Sequence, residues 1–404
     1  LGQAHRWSRR RRRRRRCAQA PPPRRTRARL APAVPPCRAA AAAAARGRGG
    51  RRRLAHHLAE GRDRCRREGG VVDVGGDAHD LARGRGFEVA LELIEERRAR
   101  LARRHFLSAP APSVAGVAAS FVGLHATDPA TPYLTLWARS PGFSVDDLDT
   151  AVYRDRTVLK HLAMRRTLWM VTAGDLPLIQ SAASDRVADT EHRRLVADAE
   201  KAGVTADGEA WFAAAAAAVL NHLTAHGPVS ARGLREELTE LAGSHDAAPG
   251  KRWGGPTPLA PRVLTVLGAR GDIVRGPNDG RWTASRPRWT TMAEWLPNTP
   301  VPVSPELARA ELVRRWLSAF GPATVADVKW WFGQTLTWAR QALSEVDAVP
   351  VDLAGSTGYA LPEDVEPDPA DADVEPWCAL LPALDVTTMG WLERNWYVGA
   401  HRDQ

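Results

Sequence analysis

The pattern of apolar and polar positions in the second half of the chain repeats itself. The segments "HLTAHGPVSARGLREEL" (residues 222–238) and "WLSAFGPATVADVKWWF" (residues 316–332) align without a gap. In both, an apolar run ends at Gly-Pro and is followed by Ser or Thr. Glycine favours a left-handed helix end, proline blocks continuation of the helix, and Ser or Thr caps the next one. The pattern therefore predicts two helices joined by a tight turn.

A third copy of this pattern precedes the other two. The segment "FLSAPAPSVAGVAASF" (residues 106–121) follows it more loosely, with Ser113 in the capping position. Recurrence of one local pattern is the sequence signature of a repeated structural unit. Three copies are expected.

Short β-prone runs follow the helices of each copy. After the second copy, a predicted helix over residues 261–269 leads into "DIVRGPNDGRWTAS" (residues 272–285), whose Pro-Asn-Asp-Gly is a hairpin turn signal. Residues 348–363 again predict two strands around a Gly-containing turn, and residues 165–176 predict at least one strand. Three helices followed by a hairpin form the winged-helix variant of the helix-turn-helix, which binds DNA by a helix and the hairpin. Winged helices also serve as protein-interaction modules, so a scaffold remains an alternative.

Charge divides the chain into two parts. Residues 1–87 hold 25 Arg and Lys against 6 Asp and Glu, whereas residues 88–404 hold 32 against 40. The first part contains the Arg run from Arg9 to Arg16, together with poly-Pro and poly-Ala stretches. Such a segment has too little apolar surface to offset its chain entropy, so we expect disorder.

Three interpretations of this leader compete. An arginine-rich arm would bind phosphates in a salt-sensitive way. A targeting peptide fits poorly, because no apolar core precedes a cleavage site. The third interpretation is a translation start placed too early in GC-rich DNA: Arg outnumbers Lys 53 to 4, and the chain begins with Leu1.

Cysteine and hydropathy patterns argue against several other classes of protein. The four cysteines lack any Cys-x-x-Cys spacing, so neither a zinc site nor a disulfide framework is expected. The sequence lacks an apolar stretch near the roughly 18 residues of a membrane span. We therefore expect a cytoplasmic protein, associated with the nucleoid if it binds DNA, with no metal and no small-molecule cofactor.

These patterns together predict a mainly α protein with small β elements. The expected architecture is three tandem winged-helix domains followed by a partial C-terminal β-barrel. The predicted boundaries are a leader over residues 1–87, winged helices over 88–200, 205–295 and 303–363, and a truncated β-rich piece over 376–404.

Arginines and one tryptophan are the candidate DNA contacts. Arg275 and Arg281 lie in the basic cluster around the second hairpin, and Arg165 and Arg166 precede a predicted strand. Trp137 and Arg139 are a candidate pair for stacking on a base and binding a phosphate. At helical spacing beside leucines, Trp137 equally fits a core position.

Four ordered segments resemble a known family. "GLHATDPATPYLTLWAR", "RRTLWMVTAGDLP", "GDIVRGPNDGRWTAS" and "LLPALDVTTMGWLERN" look like the winged-helix DNA-binding proteins of the AlkZ-like group, which includes glycosylases acting on bulky alkylated or cross-linked purines. The resemblance covers about residues 88–404. It implies three tandem winged helices with a β-barrel; the chain stops at Gln404, short of a further hairpin in the usual pattern.

The resemblance also identifies a candidate catalytic motif. The family's glycosylases carry Gln-aliphatic-Gln or Gln-aliphatic-Asp where this chain has His125, Ala126 and Thr127. The family's polar side chains are thought to position the attacking water. Here His125 would orient or activate water, with Thr127 or Asp128 assisting. His125, Thr127 and Asp128 before Pro129 equally fit a helix end and cap.

The resemblance leaves catalysis open. If the chain is an enzyme, we expect monofunctional hydrolysis of the N-glycosidic bond, because the nearest lysine in sequence, Lys160, is remote from the motif. The alternatives are a non-catalytic DNA-binding regulator and a protein-interaction scaffold. The expected partner is double-stranded DNA, intact or damaged, with the oligomeric state undetermined and no membrane association.

Overall fold

The computed structural model describes residues 94–398, apart from positions 247, 253, 299–300, 354, 367 and 370–376. These residues belong to one compact unit. The predicted leader over residues 1–87 lies outside the described residues. In the described part of the chain, no helix is long and apolar enough to cross a membrane.

Helices dominate the structure, as predicted. The α-helices in chain order are α1 (Ile94–Arg104), α2 (Val114–Ser120), α3 (Thr131–Trp137), α4 (Val145–Asp149), α5 (Leu176–Ile179), α6 (Asp185–Lys201), α7 (Gly208–His226), α8 (Ala231–Glu237), α9 (Ala260–Arg270), α10 (Met292–Trp295), α11 (Pro305–Phe320), α12 (Val325–Phe332), α13 (Leu336–Glu345) and α14 (Asn395–Val398). Single π-helical turns continue α4 and α5, over Thr150–Arg154 and Gln180–Ser184. Short 3₁₀ turns occupy Met164–Arg166, Thr239–Leu241 and Pro362–Asp364.

The strands are short and form small antiparallel sheets. They are β1 (Leu124–His125), β2 (Val158–Leu162), β3 (Leu168–Thr172), β4 (Val229–Ser230), β5 (Ser244–His245), β6 (Thr257–Pro258), β7 (Ile273–Asn278), β8 (Pro287–Thr291), β9 (Val349–Asp352) and β10 (Thr357–Ala360). The two three-stranded sheets have the orders β1-β3-β2 and β4-β8-β7.

One topology occurs three times. In each case a short segment after a helix pairs with the second strand of a later hairpin: β1 with β3, β4 with β8, and Ala323 with Tyr359 in β10. A new helix follows each segment directly in the second and third copies, capped by Ser230 and Thr324. These capped turns confirm the helix pairs that the sequence predicted.

The first copy is displaced from the sequence alignment. Ser113 does cap α2, as predicted, and its hydroxyl accepts a hydrogen bond from the Gly116 amide at 3.0 Å. However, the strand equivalent to β4 comes after α2, at Leu124–His125, one helix later than the alignment of residues 106–121 implied. His125 therefore occupies the strand position held by Val229 and Ala323 in the other copies.

The two glycines of the repeated turn behave differently. Gly227 has a positive φ of 73° that favours glycine, but its ψ of −155° lies outside the predicted left-handed helical conformation, and Gly321 has φ −72°. A Cβ at Gly321 would lie 2.5 Å from the Leu317 carbonyl oxygen. Position 321 requires glycine because the Leu317 backbone comes too close for a side chain, and not because of a left-handed conformation.

Predictions for the hairpins are largely confirmed. Helix α9 matches the predicted helix, and β9 and β10 match the predicted hairpin. The second copy's hairpin is longer than predicted, because β8 begins at Pro287 and not within residues 281–285. The Asn278 side chain organises this longer connection by donating to the Arg281 and Ala284 carbonyls and accepting from the Arg286 amide.

The prediction of a β-rich C-terminal piece is wrong. Residues 377–398 contain turns and the short helix α14, and the described residues contain no closed barrel. Val386 and Trp391 of this segment pack in the helical core, and Trp396 and Tyr397 pack against it, whereas Leu380 is exposed. Trp391 is buried, stacks on His105 at 5.7 Å between ring centroids, and donates to the Phe320 carbonyl.

Candidate functional site

His125 lies on one face of the first sheet. The register places His125 opposite Trp169 and Trp169 opposite His161, so these three side chains share a face. The His125 ring centroid is 5.0 Å from that of Trp169, and Nδ1 is buried without a hydrogen-bond partner in the described chain. Burial, and secondarily the charge of Arg165, lower the His125 pKa to about 4. At neutral pH this imidazole is neutral and has an unused ring nitrogen.

The other two predicted catalytic residues hold the backbone in place. The exposed Thr127 accepts a hydrogen bond at its Oγ1 from the Leu168 amide at 3.2 Å. Asp128 accepts one at Oδ1 from the Ala130 amide at 2.8 Å, which is an Asx turn leading into α3. Both side chains therefore have structural roles, but neither caps α3, because Ala130 holds the N-cap position and no side chain caps this helix. The His125 ring has no such structural role.

The β2–β3 turn places two arginines in a disfavoured conformation. Arg165 and Arg166 have φ values of 56° and 59°, and the Thr167 amide donates to the Met164 carbonyl across them. Hairpin turns with two left-handed residues normally use Asn-Gly or similar pairs. Arginine at both positions costs about 1–2 kcal/mol each. Strain of this kind at charged residues is typical of functional positions.

Aromatic rings surround the Arg165 guanidinium. Its Cζ is 4.2 Å from the ring centroid of Trp330, 5.8 Å from that of Trp169 and 6.0 Å from that of Trp331. Nε and Nη2 are buried and have no hydrogen-bond partner in the described chain. Burial lowers the Arg165 pKa to about 10, so it remains a cation at neutral pH. A desolvated cation attracts a neighbouring negative charge more strongly than a solvated one does.

Four arginines line a cleft beside this turn, which we call the arginine cleft. Its volume is about 170 Å³ and its wall includes the turn, one side of α6 and the C-terminal end of α12. The charged residues of its wall are Arg165, Arg166, Arg186, Arg194 and Glu191. Four cations against one carboxylate give the cleft a net positive charge, although residues 88–404 as a whole are acidic.

Hydrogen bonds fix two sides of the arginine cleft. The Glu191 carboxylate bridges Arg166 Nη2 at 2.8 Å and Arg194 Nη1 at 3.1 Å. Arg186 donates to the Gly333 carbonyl at 3.1 Å and to Gln334 Oε1 at 2.6 Å. Sequence reasoning missed Arg186 and Arg194, which are ordinary exposed positions of a helix until α12 packs beside them.

A second cavity lies against the face of the β2–β3 hairpin that is opposite to the face of His125. This cavity of about 30 Å³ is lined by Lys160, and it shares Leu264, Thr265, Arg275 and Trp289 with an adjoining cavity of about 580 Å³. The Arg275 guanidinium lies 4.7 Å from the Trp289 ring centroid. Arg281 is exposed in the β7–β8 connection and lines neither of these two cavities.

The assignment of Arg139 as a phosphate contact is wrong. Its side chain is fully buried in an ion pair with Asp385, with Nη2 2.8 Å from Oδ1. It also donates to the His105 and Thr135 carbonyls. The alternative prediction that Trp137 lies in the core is also wrong, because its side chain is 60% exposed.

Comparisons with known proteins agree with this architecture. The model of a family described as "DNA glycosylase AlkZ-like" matches residues 118–404. The chain belongs to the AlkZ-like DNA glycosylase family. This membership confirms the resemblance that the four motifs indicated. A search of curated protein sequences returned no match.

A solved structure supports the fold of this AlkZ-like protein. The Streptomyces sahachiroi DNA glycosylase AlkZ aligns with a TM-score of 0.57 at 18% identity, covering 77% of this chain and 81% of that chain. In this AlkZ-like chain, His125 does not line the arginine cleft, but the charge of Arg165, which does, contributes to lowering the His125 pKa.

Proposed function

We propose that this AlkZ-like protein binds duplex DNA through the arginine cleft and the strained β2–β3 turn with Arg165 and Arg166, which we call the arginine turn. The observation that carries the proposal is the pair of left-handed arginines at the tip of β2–β3, one of them desolvated with unused donors. Phosphate oxygens would accept from the guanidinium groups of this turn, of which that of Arg166 is 57% exposed, and displaced counterions would make binding salt-dependent.

The repeated topology supports a winged-helix interpretation. Each copy has helices followed by a hairpin, and the hairpin's second strand pairs with a segment from the start of the copy. In winged helices the hairpin contacts the DNA backbone. The β2–β3 turn with Arg165 and Arg166 is then the wing of the first copy. Exposed Trp137 is suited to stacking on an unpaired base.

Excision of a damaged base is the second candidate function, favoured by the unpartnered Nδ1 of His125. A neutral imidazole can accept a hydrogen bond from water and aim the oxygen at the sugar C1′. The C1′–N bond breaks with its electron pair going to the base, and the water oxygen bonds to C1′. Arg165 disfavours an imidazolium next to it, so His125 would orient water while the proton passes to solvent.

Binding is tested with the full chain and a labelled duplex over a range of salt concentrations. Arg165→Ala should weaken binding and lower the slope of log K against log salt by about one. Arg154→Ala serves as the matched control, because Arg154 is exposed, pairs with its neighbour Asp155 and does not line the cleft. An Arg165→Ala slope equal to that of the control would overturn the proposal.

Excision is tested on the same chain with a duplex that carries N7-alkylated guanine. Release of the base, followed as abasic sites, should be lost in His125→Ala and retained in Thr127→Val. Bound duplex with no base released would leave DNA binding as the function and remove the excision candidate.

A further inference from the structure

The second cavity is lined by Lys160, and lysine is rare in this chain. The protein has four lysines against 53 arginines. Lys201, Lys251 and Lys329 are exposed, whereas Lys160 is partly buried at the centre of β2. An arginine would serve wherever only a fixed positive charge is needed, but a guanidinium does not form a Schiff base.

Lys160 has no structural partner that would explain its position. No hydrogen bond or ion pair involves its amine within the part of the chain that the structure describes. It shares a sheet face with Leu162, Leu168 and Met170, opposite to the face of His125. Burial, and secondarily the charge of Arg275, lower the Lys160 pKa to about 8, while Asp149 opposes the shift. A usable fraction of the amine is therefore unprotonated and nucleophilic near neutral pH.

The surrounding cavity has the chemistry of a phosphate-bearing ligand. The cavity beside Lys160 has a volume of about 30 Å³ and is walled by Leu162, Leu168 and Trp289. The adjoining cavity is lined by Ser285, Arg275 and Arg286 and by the carboxylate-bearing Asp279. Of its other polar lining residues, Ser230 caps α8, Thr265 donates to the Pro261 carbonyl and Arg232 pairs with Glu236. Lys160 thus lines a cavity that adjoins two arginines, Arg275 and Arg286, whose guanidinium groups can bind phosphate.

We propose that Lys160 is a nucleophile for aldehydes flanked by phosphates, namely the open-chain deoxyribose of an abasic site in DNA. This inference rests on the proposed DNA binding and is independent of base excision. The Lys160 nitrogen attacks C1′ and water leaves, which forms an imine. Water then takes the C2′ proton, a C2′–C3′ double bond forms, and the C3′–O3′ bond breaks with its electron pair leaving on the 3′ phosphate. Another water molecule hydrolyses the imine to restore the amine. The protein is accordingly an abasic-site lyase.

The experiment incubates the full chain with a duplex containing one preformed abasic site, in the presence of cyanoborohydride. Reduction converts the imine into a stable protein–DNA adduct, which is separated on a denaturing gel and mapped by mass spectrometry after digestion. We expect the adduct on Lys160 and strand cleavage when reductant is omitted. Lys160→Met should lower adduct formation by roughly tenfold or more, whereas exposed Lys329→Met should leave it unchanged.

Each other outcome overturns the inference. An adduct on a different lysine, or none on a duplex that is bound, removes Lys160 as the nucleophile and leaves DNA binding intact. Labelling of Lys160 by pyridoxal phosphate but not by abasic DNA identifies a small-molecule aldehyde site and rejects the DNA assignment. Absence of both adduct and duplex binding defeats the proposed function together with this inference. Mapping on the wild-type chain gives an answer even if Lys160→Met does not fold.

Discussion

Arg139 and Asp385 form a buried ion pair that attaches the C-terminal segment to the core beside α3. Asp385 Oδ1 and Oδ2 accept from Arg139 Nη2 and Nη1 at 2.8 and 2.9 Å. Burial alone raises the pKa of Asp385, but Arg139 and the hydrogen bonds from the Thr387 amide and the Thr135 hydroxyl outweigh it and hold the pKa below its ordinary value. Both charges are compensated within one closed network.

Removing one member of this pair should destabilise the fold strongly. Arg139→Ala leaves a buried carboxylate uncompensated, and we expect the free energy of unfolding to fall by about 3–5 kcal/mol. Urea denaturation measures this loss. The double variant Arg139→Leu with Asp385→Leu is the control and should lose much less, since no charge remains buried. A single variant as stable as the double variant would contradict this account.

The strain at the arginine turn can be measured with two variants that remove the same charge. Arg166→Gly and Arg166→Ala both delete the ion pair to Glu191, which involves a 57% exposed arginine side chain. Glycine tolerates the φ of 59° and alanine does not, so the glycine variant should be more stable by about 1 kcal/mol. Equal thermal denaturation midpoints for the two variants would show that the turn relaxes without cost.

Gly333 should be required for the shape of the arginine cleft. It is left-handed at φ 63°, and a Cβ there would lie 3.0 Å from the Arg165 backbone nitrogen. Gly203 is left-handed at φ 69° with nothing within 4 Å of an added Cβ. Gly203→Ala should therefore lower the free energy of unfolding by about 1 kcal/mol, from backbone strain alone. Gly333→Ala should lower it further and also weaken DNA binding, as urea denaturation and a binding titration would detect.

Buried histidines should make the protein sensitive to acid. Burial is the main cause that lowers the pKa of His105 to about 3 and that of His125 and His161 to about 4. An unfolded histidine has a pKa of about 6.5, so the unfolded state binds protons first as the pH falls. Each buried histidine's contribution to the free energy of unfolding is complete above the pKa of the unfolded state. It is lost as the pH falls toward the pKa of the folded state, by up to about 3 kcal/mol for His125.

This acid sensitivity is measured by urea denaturation at several pH values between 7 and 4. His161→Phe should flatten the pH dependence, whereas His226→Gln should not, because His226 is exposed. Nuclear magnetic resonance titration of His125 should give a pKa well below 6. A titration near the ordinary value would contradict the buried, neutral imidazole.

Local signals made much of the fold predictable. Helix caps, Gly-Pro stops and turn residues act within a few positions, so the repeated helix pairs and the hairpin of β9 and β10 followed from the sequence. The displacement of the first copy was not predictable, because it depends on which segment pairs with β3. That choice is made across 41 residues, between Thr127 and Leu168.

The candidate site was only partly predictable, since it depends on tertiary contacts. Arg139 looked like a surface arginine because its partner Asp385 is 246 positions away. Arg165 and Arg166 were found from their place before a strand, but Arg186 and Arg194 join them only through packing of α6 and α12. Whether Lys160 is buried likewise depends on the neighbouring copy's Arg275 and Trp289.

The conformation of the arginine turn is already set in the free protein. Trp330 and Gly333 pack against Arg165, and Glu191 holds Arg166. Ordering long side chains on association usually reduces affinity, because each loses rotamer freedom when it is fixed. Here folding has removed that freedom beforehand. An incoming phosphate would therefore find its donors in position, with little entropic penalty at the moment of contact.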